Sequence, residues 1–452
     1  MNSFPITRSL FCMILTASML SSCLPSLAAD KPAQENIADF SEAAKTIPKP
    51  REIWPILQKE HVVPIEFKIL SDEIVTSDTD PSQKLRKVKA HFWSQRIDGK
   101  LWGHPCVIFT PADNRRNMKP PRRGKVAIIG SPAQDAFPIH VDKYGEPIAA
   151  RTGYPTMVLS NPGEYADGSP IERDIRRLGD LRKSTGKGYY NMNCQLAVVY
   201  IQAMNAMQEF LGVDSVQAVI GGHSKRGRST PVAAAMDSRV ASAIIMGNEG
   251  VYLPTPVHPF QSFYYPFFQE QVHVPVFYLG ATNEDGYKAF NITLEQSQLK
   301  KPLTVEMIPN YPHSNYSEIQ FMDFMMWVSH TFDDRPLSKI LDAKCERKNG
   351  RSIFTAKIES DAKVQMVRTW FVYTDDPAWR DLMWFHRIMH KVGDHYEAVL
   401  GGKIPDAFMV EVGDIANGIP GYVSTVPHKL TDAPVIERKT RGSISRLWEP
   451  NP

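Results

Sequence analysis

The residues best suited to chemistry are a serine and its small and basic neighbours, Gly221-Gly222-His223-Ser224-Lys225-Arg226-Gly227. They follow the apolar run Val216-Gln217-Ala218-Val219-Ile220 and precede a helical stretch. A serine on a tight strand-to-helix turn is held in a strained, exposed position, the geometry of a nucleophile elbow. The amides that open the helix, that of Lys225 first, then face the oxyanion that forms when Ser224 attacks a carbonyl. In the usual elbow, glycines stand two before and two after the serine. Here Gly222 keeps the first place, Arg226 holds the second, and Gly227 comes one residue later. A basic residue at that place points to a polarised or anionic substrate, with Arg226 in contact with it.

A serine nucleophile needs a base and the base an acid, in the chain order serine, acid, histidine. The apolar run of residues 274–279 leads directly into Gly280-Ala281-Thr282-Asn283-Glu284-Asp285. The run of residues 303–308 leads into Pro309-Asn310-Tyr311-Pro312-His313. His313 is therefore the expected base. The acid is Glu284, Asp285 or, from the loop after the preceding strand, Glu249. The second oxyanion amide falls on Ala133 or Gln134, just past Ser131-Pro132, because proline carries no N–H. An aromatic stretch, Phe260-Gln261-Ser262-Phe263-Tyr264-Tyr265, lies between strands. Phe260, Tyr264 and Tyr265 either line an apolar or sugar-stacking substrate site or pack back onto the sheet.

These loops need a rigid frame, and the chain encodes one. Residues 65–70 and 88–93 alternate polar and apolar, as half-exposed strands do, whereas 126–130 is continuously apolar, as a buried parallel strand should be. Strand-like runs then alternate with helical ones, including a long helical pattern over 191–211. The expected fold is α/β: an α/β-hydrolase-like, mostly parallel sheet flanked by helices. After Asp333-Asp334-Arg335-Pro336 the pattern changes to short alternating strands, which predicts a small C-terminal β-sandwich. The expected organisation is a signal peptide over 1–29, a surface segment over 30–60, the hydrolase domain over 61–335 and the β-rich domain over 336–452.

The N-terminus combines Arg8, a short apolar run and small residues, the pattern of a secretory signal with cleavage after Ala29. Leu20-Ser21-Ser22-Cys23 also reads as a lipobox, which would lipidate Cys23 and anchor the chain to a membrane. Export to the periplasm, the outer membrane or the medium follows. No later apolar run approaches the roughly 20 residues a bilayer core requires. A net charge of +3 with dispersed lysines and arginines argues against nucleic-acid binding. Past the signal only Cys106, Cys194 and Cys345 remain, so at least one thiol is unpaired. His386, His390 and His395 sit among aromatic residues in strand-like sequence, and no metal site is expected there.

The segment Gly222-His223-Ser224-Lys225-Arg226-Gly227, with Ala234-Ala235-Met236-Asp237-Ser238-Arg239-Val240 behind it, resembles the PhoPQ-activated pathogenicity-related proteins, exported bacterial α/β-hydrolase-like proteins. Gly280-Ala281-Thr282-Asn283-Glu284 is similar to that family's acid loop, N-A-T-x-D, with Gly280 in place of Asn and Glu284 in place of Asp. The basic residues beside the serine also resemble, locally, those of glucuronoyl esterases. The resemblance implies hydrolase chemistry and fixes no substrate. The expected activity is cleavage of an ester, or less readily an amide, in a small molecule, glycan or peptide, without a cofactor. The alternative is a catalytically silent surface protein that binds peptide or glycan.

Overall fold

A computed structural model of the chain describes residues 48–112, 124–132, 136–247, 268–284, 299–301, 303–373 and 382–431. The expected surface segment is, from residue 50 on, a helix, α1 (Pro50–Glu60). Proline sits in its first turn, the Glu52 carboxylate accepts the Lys49 amide at 2.9 Å, and Ile53 and Leu57 are buried. The signal and lipobox residues lie outside the described residues.

Three long strands follow, β1 (Phe67–Thr76), β2 (Lys84–Ile97) and β3 (Lys100–Pro111), joined as antiparallel neighbours. The buried strand β4 (Lys125–Ser131), helices α2 (Ala136–His140) and α3 (Glu146–Thr152), β5 (Thr156–Ser160) and the two-residue β6 (Glu164–Tyr165) come next. Helices α4 (Arg177–Thr185) and α5 (Met192–Leu211) lead to β7 (Gln217–His223), α6 (Lys225–Met236) and β8 (Val240–Met246). The sheet ends with β9 (Val276–Asn283) and β10 (Thr304–Pro312), and α7 (Glu318–Asp333) packs behind it.

The strands form one ten-stranded sheet in the order β1-β2-β3-β5-β4-β7-β8-β9-β10, with β6 on β3. From β5 to β10 all neighbours are parallel. Successive residues of β4 point to opposite faces: Val126 and Ile128 join the cluster with α1, α5 and α6, and Ala127 and Ile129 join the one with α3 and α7. A parallel run buried on both faces must be apolar throughout, which is why 126–130 has no alternation. Antiparallel leading strands, a swap of β4 and β5, and helices on both faces make this an α/β-hydrolase sheet.

The remainder forms two antiparallel sheets. One has the order β11 (Lys339–Lys348), β12 (Arg351–Glu359), β16 (His395–Gly401), β15 (His390–Val392). The other has β14 (Phe385–Ile388), β13 (Lys363–Val372), β17 (Ala407–Ala416), β18 (Ile419–Ser424), with β19 (His428–Lys429) on β17. Phe354 and Ala356 of the first and Val367, Phe371, Val410 and Val412 of the second share one buried cluster, as in a sandwich. At its start Arg335 is fully buried and bonds Asp414 Oδ1 and the Ile419 carbonyl (2.9 Å), while Asp414 Oδ2 accepts Ser338 Oγ–H at 2.6 Å. Cys106, Cys194 and Cys345 are free thiols.

Two buried histidines outside the chemistry constrain stability. His104 on β3 has Nε2 2.7 Å from Ser94 Oγ and Nδ1 2.9 Å from the Ser160 carbonyl, which fixes one neutral tautomer. Burial pushes it down to about 3, and burial, then the Arg226 charge, pushes His140 down to about 4. Unfolding releases both to ordinary imidazole behaviour near pH 6.5. Below that pH the unfolded chain therefore binds more protons than the native one, so stability should fall as pH drops from about 6.5 toward 4. Each group should cost on the order of 3 kcal/mol over that interval. Urea denaturation at stepped pH checks this: His104→Gln should flatten the slope, and an unchanged slope would exclude His104 as a contributor.

Candidate active site

Ser224 stands at the tip of β7 with φ 59° and ψ −127°, a conformation that a residue with a side chain adopts only under strain. The strain is held from both sides. The Ser224 amide donates to the Met246 carbonyl at 2.8 Å, and its own carbonyl accepts the Arg228 amide at 3.0 Å as α6 begins. The irregular glycine spacing has a steric reason. A Cβ on Gly222 would lie 2.8 Å from the Arg226 Cβ and collide with the Tyr200 hydroxyl. A Cβ on Gly227 would lie 2.6 Å from the Gly222 carbonyl oxygen and 3.1 Å from the Met246 nitrogen. Bare backbone at 222 thus makes room for a side chain at 226, and bare backbone at 227 lets α6 press against β7 and β8. Because the obstacles around Gly227 are backbone, Gly227→Ala should destabilise the fold by about 1–3 kcal/mol and displace the turn. Thermal denaturation should register the loss.

Tyr200 on α5 braces the turn from below. Its hydroxyl donates to the Gly221 carbonyl at 3.0 Å, with a longer contact to the Arg226 carbonyl at 3.3 Å. Burial holds this phenol protonated. Arg226, expected from the sequence to meet substrate, has its side chain committed to the protein itself. Its side chain is 5 % exposed, Nη2 donates to Glu172 Oε2 at 2.8 Å, and Nε bonds the Asn161 carbonyl. Arg226 is a tether between α6 and the segment after β5. Lys225, 21 % exposed, bonds the other oxygen of the same Glu172. One carboxylate therefore balances two cations beside the serine. Neither Tyr200 nor Glu172 was expected from the sequence: Tyr200 is one of several polar-tipped residues in α5, and Glu172 carries no local signal.

His313 follows β10, and its Nδ1 lies 2.9 Å from Glu284 Oε2. Glu284 is 1 % exposed and directly follows β9, so the parallel neighbours β9 and β10 deliver the two side chains to one point. Glu284 is therefore bonded to His313, and the other two carboxylates considered, Asp285 and Glu249, lie outside the described residues. The His313 ring packs on that of His223, the residue before Ser224, with centroids 4.4 Å apart. Gly247, at φ 48°, closes the gap: any Cβ there would strike His223 and come within 3.2 Å of Glu284 Oε1. Ala133, Gln134, Phe260, Tyr264 and Tyr265 also lie outside the described residues.

Ser131, at the end of β4, has its hydroxyl 2.8 Å from His140 Nδ1 and 3.0 Å from the Pro132 carbonyl. A neutral His140 can donate Nδ1–H to that hydroxyl, which then donates to Pro132 and fixes the start of the loop leading to residues 133–135.

No curated relative matches the chain. Among solved structures, acetyl xylan esterase 1 from Thermoanaerobacterium sp. JW/SL YS485 is 13 % identical with a TM-score of 0.43, covering 66 % of this chain and 99 % of that one. A glucuronoyl esterase from Solibacter usitatus is 12 % identical with a TM-score of 0.42, covering 63 % and 92 %. A cold-adapted esterase from an Arctic intertidal metagenomic library is 15 % identical with a TM-score of 0.37, covering 57 % and 95 %. The model of the PhoPQ-activated pathogenicity-related proteins matches residues 76–249, from the end of β1 past β8 and through the Ser224 turn. Over that segment the chain is similar to the PhoPQ-activated pathogenicity-related proteins.

Proposed function

We propose that the chain hydrolyses carboxylic esters through an acyl-enzyme on Ser224. The observation that carries this reading is the His313–Glu284 pair, bonded at 2.9 Å and packed against the residue preceding a strained elbow serine. Ser224 Oγ attacks the carbonyl carbon as its proton passes to His313 Nε2, and Glu284 holds the Nδ1–H and balances the imidazolium. The Lys225 amide, with that of Ala133 or Gln134, holds the oxyanion. The alkoxide leaves with the proton from His313, and water then repeats the sequence on the acyl-serine.

An ester is the better substrate for this device. Its alkoxide departs more readily than an amine, which must be protonated before the C–N bond breaks. Export, with or without a lipid on Cys23, belongs to the same proposal and rests on the N-terminal sequence. Among the described residues no helix is long and apolar enough to cross a membrane.

The test is a fluorophosphonate probe on the folded full-length chain, read by peptide mapping, beside an ester panel spanning acyl and uronate groups. Labelling at Ser224 with turnover of one ester class supports the proposal. A folded chain that neither labels nor turns over any ester overturns it and favours the binding-protein alternative.

A further inference from the structure

The two loops that carry Glu284 and His313 are joined not only to each other but also to the C-terminal half. Asn310 lies three residues before His313, in the irregular stretch between Ile308 and Pro312 where the β10–β9 register shifts. Its φ of 56° is a left-handed conformation that asparagine tolerates better than most residues. Its side chain pairs with a backbone as a strand would: Nδ2 donates to the Trp384 carbonyl at 2.9 Å, and the Trp384 amide donates to Oδ1 at 2.7 Å. The Asn310 amide donates to Thr282 Oγ1 at 2.8 Å, and the Thr282 hydroxyl donates to Asn283 Oδ1 at 2.7 Å. Asn283, immediately before Glu284, donates from Nδ2 to the Leu382 carbonyl at 2.7 Å. The backbone of residues 382–384 thus grips both loops. It is itself fixed, because the Trp384 side chain is 2 % exposed within the core.

We propose that Asn310 and Asn283 are positioning residues through which the C-terminal half sets the His313–Glu284 geometry, a role that rests on the hydrolase reading. They touch no reacting atom. Their effect runs through the spacing of two parallel strand ends, whose register is irregular just where the base is delivered. A displacement of about 1 Å in such a pair can cost on the order of 100-fold in rate. The sandwich is then part of the working apparatus and not an appended binding module.

Asn310→Gly is the sharpest variant, since glycine keeps the positive φ and the backbone bond to Thr282 while deleting both bonds to Trp384. Asn283→Ala deletes the bond to Leu382 and serves if the first variant folds poorly. Three readouts on the full chain are needed: kcat and KM on a simple ester, the melting temperature, and the deshielded His313 Nδ1 proton by NMR. The expected result is kcat lower by about 10- to 100-fold with KM nearly unchanged and a displaced or broadened Nδ1 resonance. The double variant should lose less than the product of the two single losses, because both act on one pair. A folded Asn310→Gly chain with unaltered kcat and Nδ1 resonance would overturn the proposal. If the resonance responds but the wild-type chain turns over no ester, the clamp stands and the hydrolase reading falls.

Discussion

Replacing Ser224 by alanine should remove ester turnover, by roughly 10⁴- to 10⁶-fold, while the fold persists. The expectation has two parts. The chemical part is that Ser131 cannot take over the attack, since it is fully buried and committed to His140 and Pro132. The conformational part separates a nucleophile elbow from an incidental turn. At φ 59° and ψ −127° alanine is as strained as serine, so Ser224→Ala should leave stability nearly unchanged. Ser224→Gly should relieve the strain and raise stability by about 1–3 kcal/mol while being equally inactive. Denaturant titration of the three proteins reads the conformational part, and probe labelling reads the chemical one. A glycine variant less stable than wild type would mean that the turn stores no strain.

The second large effect should come from Glu284→Gln, with kcat down by about 10³- to 10⁴-fold and KM little changed. Glutamine keeps the length and can keep a hydrogen bond to His313, but it offers an N–H as readily as a carbonyl. It therefore stabilises the tautomer in which Nδ1 accepts, leaving the other nitrogen protonated and useless as a base. It also removes the charge that offsets the imidazolium in a site where Glu284 is 1 % exposed. Glu284→Asp should recover part of the loss, because the charge returns although the reach is one methylene shorter. Asp285→Asn and Glu249→Gln should be mild beside it. A large loss in either, with Glu284→Gln nearly active, would move the acid elsewhere.

How much of this could be read from the sequence depended on how local each signal was. The Ser224 turn, Glu284 and His313 are each announced by a buried apolar run that stops at a loop, and strand ends in a parallel sheet gather loops at one edge. The sequence could not show what binds Arg226, because Glu172 lies 54 residues away in a segment without periodicity. A basic residue near a serine suggests substrate until its counter-charge is seen. Strand β11 has a weak sequence signal for a physical reason: Lys339–Lys348 is nowhere fully buried, and a register shift between Ile340 and Asp342 breaks its alternation. Strand β18 carries Pro420 and Gly421, which read as a turn. The clamp at Asn310 and Asn283 was invisible because its partners are backbone atoms of residues 384 and 382.

The change of pattern at Asp334-Arg335-Pro336 looks like a seam at which the chain could be cut. The buried clusters disagree. Val276, Tyr278 and Met307 of the large sheet share one with Trp370, Trp384 and Met409, and Phe277, Leu279 and Trp327 share the other with Phe354, Phe371 and Phe408. Arg335, at the seam itself, is bonded into β17 and β18. Shuffling by recombination would therefore find no autonomous N-terminal module to move: a transplanted N-terminal portion would arrive with its core open and the loops that carry Glu284 and His313 untied. Diversification of such a chain should then proceed by substitution within the frame and not by exchange of its halves.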